Sequence, residues 1–559
     1  MLETESGAAP GQRAENRGVP WLIFLLGLVM LSPSIWRETS ITGSDEYSLS
    51  LRTPMEMTQR GEWVTPWLDG KPRLRKPPLL YWATLASYRT FGIHLASARM
   101  WGVLAGAGLA VCACLFAREL SRTNGLLAGL LALGSLGVAI EARQAMLDLP
   151  LALFSALSVL QWLRWLRRER LSDLAMSALW LGLSFLTKGP VGWLFFLTGA
   201  LAALWVFEAW RVLARRAGHL VVWLAIVAAI CLPWPLWMKH LWGDRFAQIM
   251  GEELAARQFG AWHGKSPLSA LGGALGLIFP WTPLVLGAIG SHWRQPKSGR
   301  SRETAWLVAW FFMSVLPFFF MKAFERYMLA IVPIQAVLAA GWLQDQSFFG
   351  KQFAWRLSLI LLAILGVAFC GFALWFKLGM VAPVLALGLI GFGVGQAFRS
   401  TDPWRPAISG AVGLMICLGW VYPSFGISQM PADLQAKLEG QPARVFQLNQ
   451  PAMLSMRLGY SVQDFAAEKF NGPITDAAKG EVVFVTEPAL AGFETWTKER
   501  ALRVTELGRF KTFYSRSAWL RFARADARWP EWRAALRARS LESLKVEIRY
   551  YRVAPPAAS

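Results

Sequence analysis

Long apolar segments alternate with short polar connectors through most of this chain. Apolar runs recur between residues 20 and 425, and a run of about twenty residues is long enough to cross the hydrocarbon core of a bilayer. The pattern predicts an all-α polytopic membrane domain. We place its transmembrane helices, about thirteen by this criterion, at residues 20–36, 97–117, 124–141, 147–166, 173–187, 190–210, 217–237, 269–291, 304–321, 327–344, 356–376, 379–398 and 405–425.

Basic residues in the connectors indicate how these helices are oriented. Lys and Arg concentrate in short connectors on the cytoplasmic side of a membrane protein. If the N-terminus is cytoplasmic, every connector on that side is basic, from Arg13 and Arg17 to Arg399 and Arg405. An odd number of spans then puts the C-terminus outside. Two long connectors, at about 37–96 and 238–268, also lie on the outer side.

The tail beyond residue 427 lacks long apolar runs and alternates two other patterns. Alternating and β-branched residues indicate strands, whereas a 3.6-residue period indicates helices. Strand-like runs occur at 443–448, 481–486 and 545–553, and helical runs at 453–458 and 529–539. We therefore predict a small soluble α/β domain over residues 428–559, following a membrane domain over residues 1–427. It carries no glycine-rich phosphate loop and no Cys/His metal spacing, so we expect it to be non-catalytic.

The amino-acid composition is typical of a membrane protein and indicates which classes of partner to expect. Hydrophobic residues make up 55% of the 559 residues, and the net charge is +21, with basic residues in every connector on the predicted cytoplasmic side. That distribution suits membrane lipids, and we expect no nucleic-acid partner. All five cysteines lie inside apolar segments, which indicates core packing rather than a disulfide framework or a zinc site.

The first outer loop contains the densest candidate chemistry. Asp45 and Glu46 form an acidic pair at its start, and four cations precede Pro77 and Pro78 about thirty residues later: Lys71, Arg73, Arg75 and Lys76. Acid and base at the two ends of one folded loop suit a site that handles a phosphate. The alternative, which composition favours equally, is that both clusters are solvated charges at the lipid headgroups.

Together with later residues, this loop resembles that of the bacterial aminoarabinose transferases, lipid A-modifying members of the GT-C superfamily that are akin to the protein O-mannosyltransferases. The matching positions follow one another along the chain: Asp45-Glu46, 61–66, 76–82, Ala98-Arg99, Asp148, 186–190, Glu253, Arg257, His263, 265–267, 279–281 and Arg326-Tyr327. The resemblance implies a GT-C-like membrane domain with amphipathic helices in the first outer loop and an outer C-terminal domain.

The resemblance also implies a reaction. The chain would move a sugar from a polyprenyl (undecaprenyl) phosphate carrier to an acceptor, lipid A or another envelope glycolipid, at the periplasmic face of the bacterial inner membrane. Transfer to a protein hydroxyl, or to another envelope glycan, is the alternative within enzymes. A lipid-linked sugar transporter is a further alternative, although no internal repeat typical of transporters is visible.

Individual roles follow from the matched positions. The implied catalytic residues are Asp45 or Glu46, with the choice between them open, and Lys76. The implied substrate- and phosphate-binding residues are Arg99, Asp148, Lys188, Glu253, Arg257, His263, Arg326 and Tyr327. Some relatives hold a metal through a Glu before the lysine, but Arg75 stands there. We therefore predict no metal site and no obligatory cofactor, and a requirement for a divalent cation stays open.

Overall fold

The computed structural model describes most of the chain. The described residues are 10–120, 124–255, 265–344, 349–438, 440–446, 452–465, 481–513, 522–524 and 526–555. Helices dominate up to residue 424. In chain order they are α1 (Pro10–Leu31), α2 (Arg52–Arg60), α3 (Leu79–Phe91), α4 (Leu95–Glu119), α5 (Gly125–Leu133), α6 (Leu136–Glu141), α7 (Asp148–Arg168), α8 (Leu171–Lys188), α9 (Val191–Val206), α10 (Trp210–Arg215), α11 (Ala217–Cys231), α12 (Pro233–Ala255), α13 (Ser266–Gly276), α14 (Thr282–Arg294), α15 (Arg302–Val315), α16 (Val332–Gln344), α17 (Phe349–Trp375), α18 (Val381–Arg399), α19 (Trp404–Ile416) and α20 (Tyr422–Ser424).

Several of these helices make the chain a multi-pass membrane protein. Among the described residues, seven helical segments are long and apolar enough to cross a membrane: Leu95–Glu119, Asp148–Arg168, Ala217–Ala255, Glu325–Gln344, Gly350–Trp375, Val381–Arg399 and Trp404–Ser424. Other predicted spans are interrupted. The span at 124–141 divides into α5 and α6, and the span at 269–291 divides into α13 and α14. The count of thirteen therefore stays a prediction.

Small residues allow the helices that frame the site to pack closely, as is common between membrane helices. A Cβ at Gly102 of α4 would lie 2.6 Å from the carbonyl oxygen of Gln144 and 2.8 Å from that of Ala142. Only glycine fits this approach. It brings the N-terminal half of α4 against the short segment that leads into α7.

The first outer loop is a compact helical and hairpin unit. After Asp45 come a π-helical turn, Glu46–Ser50, and then α2. A short hairpin follows, with strands β1 (Trp67–Leu68) and β2 (Lys71–Pro72) paired antiparallel. Asp69 and Gly70 form its turn with φ angles of 53° and 71°, which is the backbone that Asp-Gly favours in tight hairpins. Two helices, α2 and α3, lie in the loop where the resemblance implies amphipathic helices.

The C-terminal region forms a mixed five-stranded sheet with the order β4-β3-β5-β7-β6. Strands β4, β3 and β5 are parallel, whereas β5, β7 and β6 are antiparallel. Its elements are α21 (Leu434–Lys437), β3 (Ala443–Phe446), α22 (Ala452–Leu458), β4 (Gln463–Phe465), β5 (Glu481–Thr486), α23 (Leu490–Glu499), β6 (Arg503–Thr512), α24 (Trp529–Ala538) and β7 (Val546–Ala554). Three strands and two helices coincide with the predicted runs. The structure adds β4, β6, α21 and α23.

The sheet packs directly onto the first outer loop. One hydrophobic cluster contains Tyr47 and Leu51 from the π-helical turn and its end, together with Leu454 of α22 and Val445 of β3. All four side chains are almost fully buried. The C-terminal region therefore shares a core with the segment that begins at Asp45.

Candidate active site

The charged residues of the first outer loop and of three membrane helices meet in one cavity. Its volume is about 100 Å³. The lining residues are Asp45, Leu49, Ser50, Arg73, Lys76, Tyr81, Met146, Leu147, Asp148, Lys188, Phe324, Arg326 and Tyr327. A larger cavity, beside His292 and Glu303, contains none of the predicted site residues, so we do not assign the chemistry to it.

A carboxylate–cation network forms the floor of this cavity. Asp148 begins α7, where the helix dipole favours a negative charge. Lys188, the last residue of α8, donates a hydrogen bond to Oδ1 of Asp148, and Nε of Arg326 lies 3.1 Å from Oδ2. Arg326 also donates to Oδ2 of Asp45. The network therefore joins three helices to the first outer loop and fixes the direction of each charge.

Aromatic rings hold the cations of this network from the other side. Nζ of Lys188 lies 4.5 Å from the centre of the Tyr327 ring, and the guanidinium of Arg326 lies 5.0 Å from that of Phe324. A cation over an aromatic face is stabilised by the ring quadrupole. The predicted binding residues Asp148, Lys188, Arg326 and Tyr327 are thus brought together.

Lys76 enters the cavity from the end of the first outer loop. Pro77 and Pro78 follow it and are buried, and prolines restrict the backbone on both sides. Nζ of Lys76 lies 3.0 Å from Oε2 of Glu253, near the end of α12, and both side chains are less than one-fifth exposed. The structure therefore joins the two predicted residues, one from each long outer loop.

The two members of the acidic pair, Asp45 and Glu46, have different surroundings, which favours Asp45 for the role that the sequence leaves open. Asp45 lines the cavity. Glu46 is fully buried behind it, with Oε1 2.7 Å from Nε of Arg99 and Oε1 also accepting a hydrogen bond from the Ala145 amide at 2.8 Å. The π-helical turn that starts at Glu46 contains one residue more than an α-helical turn.

The structure places two of the implied site residues outside the cavity. Glu46 was a candidate catalytic carboxylate and Arg99 a candidate phosphate ligand, but neither lines the cavity. Both side chains have 0% exposure, and Nη1 of Arg99 donates to the carbonyl oxygens of Ile35 and Arg37. Their bond to each other ties α4 to the outer loop. Each group of this pair is therefore the buried counter-charge of the other.

Arg257 and His263 lie outside the described residues, so their predicted roles stay predictions. Within the described part of the chain, no three His, Cys, Asp or Glu side chains come close enough to hold a metal ion. Because His263 lies outside the described residues, this finding does not test the prediction that the protein has no metal site.

The structure adds Arg73 and Tyr81 to the cavity lining. The sequence placed Arg73 in the basic cluster and Tyr81 in a matched motif, but it gave no signal that either side chain faces the site. Nε of Arg73 donates to the Tyr81 hydroxyl at 3.2 Å. Arg73 lies three positions before Lys76 in an irregular segment, where no helical or strand period predicts the side-chain direction.

Sequence comparisons identify related proteins over part of the chain. Residues 75–237 match the family model described as dolichyl-phosphate-mannose-protein mannosyltransferase. The undecaprenyl phosphate-alpha-4-amino-4-deoxy-L-arabinose arabinosyl transferase of Pectobacterium carotovorum is 32% identical over 317 residues, which are 52% of each protein. The corresponding protein of Pseudomonas paraeruginosa is 29% identical over 50% of this chain and 52% of its own length. The chain spans about half to two thirds of the length of the curated relatives it matches.

Structural comparison extends the likeness to almost the whole chain. ArnT from Cupriavidus metallidurans, crystallised with undecaprenyl phosphate, matches 97% of this chain and 98% of its own with a TM-score of 0.65 and 17% identity. At that identity the match establishes the fold. This chain therefore has an ArnT-like GT-C fold, and the resemblance of its sequence to the polyprenyl-phosphate-dependent GT-C glycosyltransferases is confirmed.

Proposed function

We propose that this protein is a membrane glycosyltransferase that moves a sugar from a polyprenyl phosphate carrier, undecaprenyl phosphate, to an acceptor at the periplasmic face of the bacterial inner membrane. The observation that carries this proposal is the cavity itself. Residues far apart in the sequence, Asp45, Lys76, Asp148, Lys188 and Arg326, line one space beside the membrane helices. The named relatives, which use an undecaprenyl phosphate-linked sugar, support the choice of donor.

The charges of the cavity suit the departure of a lipid phosphate. Breaking the bond between the anomeric carbon and the carrier oxygen leaves the electron pair on the phosphate, whose negative charge grows in the transition state. The lining contains four cations and two carboxylates, so it is positive overall. Cations that are already fixed in position stabilise such charge without reorganising. In this mechanism Lys76, Lys188 and Arg326 face the leaving phosphate.

Asp45 faces the acceptor in the same mechanism. Its bond to Arg326 fixes its direction. If the acceptor is a hydroxyl, a new bond forms from its oxygen to the anomeric carbon, and its proton moves to the Asp45 carboxylate as general base. If the acceptor is a phosphate, as on lipid A, there is no proton to remove and Asp45 positions the acceptor instead. Neither route needs a resident cofactor.

The acceptor we favour is lipid A or another envelope glycolipid, on the strength of the relatives' names and of a cavity at the membrane surface. Transfer to a protein hydroxyl is the second candidate, because the matched family model describes a protein mannosyltransferase. In both cases the C-terminal region covers the loop that carries Asp45 and takes no part in the chemistry.

The proposed reaction can be tested with purified full-length protein in liposomes that contain an undecaprenyl phosphate-linked sugar. We expect sugar to leave the carrier and appear on an added glycolipid. Arg326→Ala should reduce the rate by about 10²–10³, the usual loss for a preorganised stabilising group. Lys322→Ala is the matched control, since Lys322 is an exposed cation nearby that does not line the cavity. Intact donor after long incubation with each acceptor class would refute the proposal.

Mass spectrometry of envelope lipids and glycans from a deletion strain would identify the natural acceptor.

A further inference from the structure

Arg73 differs from the other cations of the cavity in its partner. The other three each contact a carboxylate. Arg73 forms no ion pair within the described part of the chain, and its Nε donates to the neutral hydroxyl of Tyr81. A guanidinium has five N–H donors, so this bond leaves the others for a ligand. The excess positive charge of the lining is therefore located mainly at Arg73.

The environment keeps Arg73 charged. Burial opposes the charge, but Tyr81, Asp45 and Glu253 outweigh it and raise the pKa of the guanidinium above its ordinary value. The nearby carboxylates are already bonded to other cations. Arg73 thus has the charge that an anionic ligand needs.

The backbone of Arg73 is held by the β1–β2 hairpin. Its amide donates to the carbonyl oxygen of Pro66 at 2.7 Å and so extends the hairpin by one bond. Glu56 of α2 binds the turn of this hairpin: Oε1 accepts from the Asp69 amide at 2.8 Å, and Oε2 accepts from the Gly70 amide at 3.1 Å. A carboxylate that accepts two backbone N–H groups fixes a turn firmly. Glu56 thereby fixes the direction from which Arg73 enters the cavity.

The C-terminal region completes this arrangement. Oγ of Ser461, just before β4, donates to Oε1 of Glu56 at 2.7 Å and accepts from Nε of Arg52 at 3.1 Å. Arg52 also forms an ion pair with Asp69. Glu56 and Arg52 are 6% and 3% exposed, whereas the side chain of Asp69 is 45% exposed. We call Arg52, Glu56, Asp69 and Ser461 the Glu56 cluster.

We propose that Arg73 binds the phosphate of the donor lipid and that Glu56 is the positioning residue that holds Arg73 in the cavity, with Ser461 coupling the C-terminal region to this task. The inference rests on the proposed function for the identity of the ligand. Its physical basis is that a guanidinium can donate two parallel hydrogen bonds to a phosphate, which makes its contribution sensitive to position. A loosened hairpin would misplace these donors.

The first test measures binding of undecaprenyl phosphate alone to the full-length protein in nanodiscs. We expect Arg73→Ala to weaken binding about ten- to a hundredfold, the usual value of a hydrogen bond to a charged group, and Arg73→Lys to weaken it less. Arg75→Ala is the matched control, because Arg75 is exposed and outside the lining. Wild-type affinity in Arg73→Ala would overturn the inference. A wild-type protein that neither binds undecaprenyl phosphate nor releases sugar from an undecaprenyl phosphate-linked sugar would refute the proposed function instead.

The second test separates positioning from general stability by a double-mutant cycle. Glu56→Ala should weaken binding of undecaprenyl phosphate in the wild-type background and have no further effect in the Arg73→Ala background. An equal loss in both backgrounds would show that Glu56 has only a structural role. Hydrogen exchange of residues 66–76 supplies a readout that needs no ligand. It should become faster in Ser461→Ala, the milder change, and unchanged exchange there would exclude the coupling to the C-terminal region.

Discussion

At the scale of single residues, adjacent charges in this protein have opposite uses. Asp45 lines the cavity, whereas Glu46 is fully buried on Arg99. The sequence identified the acidic pair and the loop to which it belongs. It did not distinguish the two residues, because a π-helical turn shifts the register by one residue and no periodicity reveals such a turn in advance. Lys76 was predicted more securely, since the two prolines after it restrict the local backbone whatever the distant contacts are.

Lys76→Ala should lower turnover of a polyprenyl-phosphate sugar by about 10²–10³, because it removes a fixed positive charge beside the leaving phosphate. Lys76→Arg should rescue only part of the loss, since the guanidinium differs in size and geometry from an ammonium. The measurement is the initial rate in liposomes at saturating donor, with the melting temperature as a check on folding. Arg75→Ala should turn over normally. A large loss in Arg75→Ala with a normal rate in Lys76→Ala would contradict the assignment.

Glu46→Gln should destabilise the protein rather than alter its chemistry. The substitution leaves the Arg99 guanidinium buried without its counter-charge, and breaking one side of a buried ion pair typically costs about 3–5 kcal/mol. We expect a clearly lower melting temperature in detergent and a reduced yield. Protein that does fold should retain its affinity for undecaprenyl phosphate. Glu252→Gln, at an exposed position, should melt like the wild type. Unchanged stability together with lost binding in Glu46→Gln would return Glu46 to the site.

At the scale of elements, partly buried polar contacts accompany the hydrophobic core that the outer loop shares with the C-terminal region. Glu38, after α1, binds Nε of Arg457 in α22 at 2.8 Å and accepts from the Met430 amide at 3.2 Å. Strand and helix patterns predicted most of the sheet elements. They could not predict this docking, because the contacting residues are separated by hundreds of positions and their polar side chains are equally common on exposed surfaces.

The Glu38 contact predicts a pH dependence. Burial raises the pKa of the Glu38 carboxyl above its ordinary value, and the bonds to Arg457 and Met430 offset this only in part. The folded protein therefore binds a proton at Glu38 more readily than the unfolded chain does. Between the ordinary pKa and the raised pKa, the folded state therefore binds more protons than the unfolded state. Linkage then requires the free energy of unfolding to increase as the pH falls through this range and to decrease as the pH rises through it.

Melting temperatures across mildly acidic to neutral pH measure this contribution. Glu38→Gln should flatten the rise toward acidic pH, because it mimics the protonated carboxyl throughout. At neutral pH it should melt at least as high as the wild type. Asp402→Asn, at an exposed position on the loop before α19, should keep the wild-type slope. A slope that survives in Glu38→Gln would show that another group is responsible.

At the scale of the whole molecule, the basic connectors and the apolar spans together predict how the chain is oriented in the membrane. The cavity is reached from the end of α8, the start of α7 and the first outer loop, which the basic connectors predict to lie on the outer side. Two spans that the sequence predicts as continuous are broken into shorter helices. Gly134 and Ser135 interrupt the span at 124–141, and Pro280 lies in the break of the span at 269–291. An apolar composition indicates that a segment lies within the membrane. It does not indicate whether the segment forms one continuous helix.

Cysteine labelling in intact cells tests the orientation. The described native cysteines are buried, so a membrane-impermeant maleimide should give little background. A cysteine at exposed Glu499, in the C-terminal region, should react from the periplasmic side, whereas one at exposed Arg216, before α11, should react only after the inner membrane is permeabilised. The reverse pattern would place the cavity in the cytoplasm. In the cytoplasm the acceptor could not be a periplasmic glycolipid. The proposed transfer from the lipid-linked donor would be unaffected by that result. The labelling therefore determines the compartment of the cavity independently of the reaction.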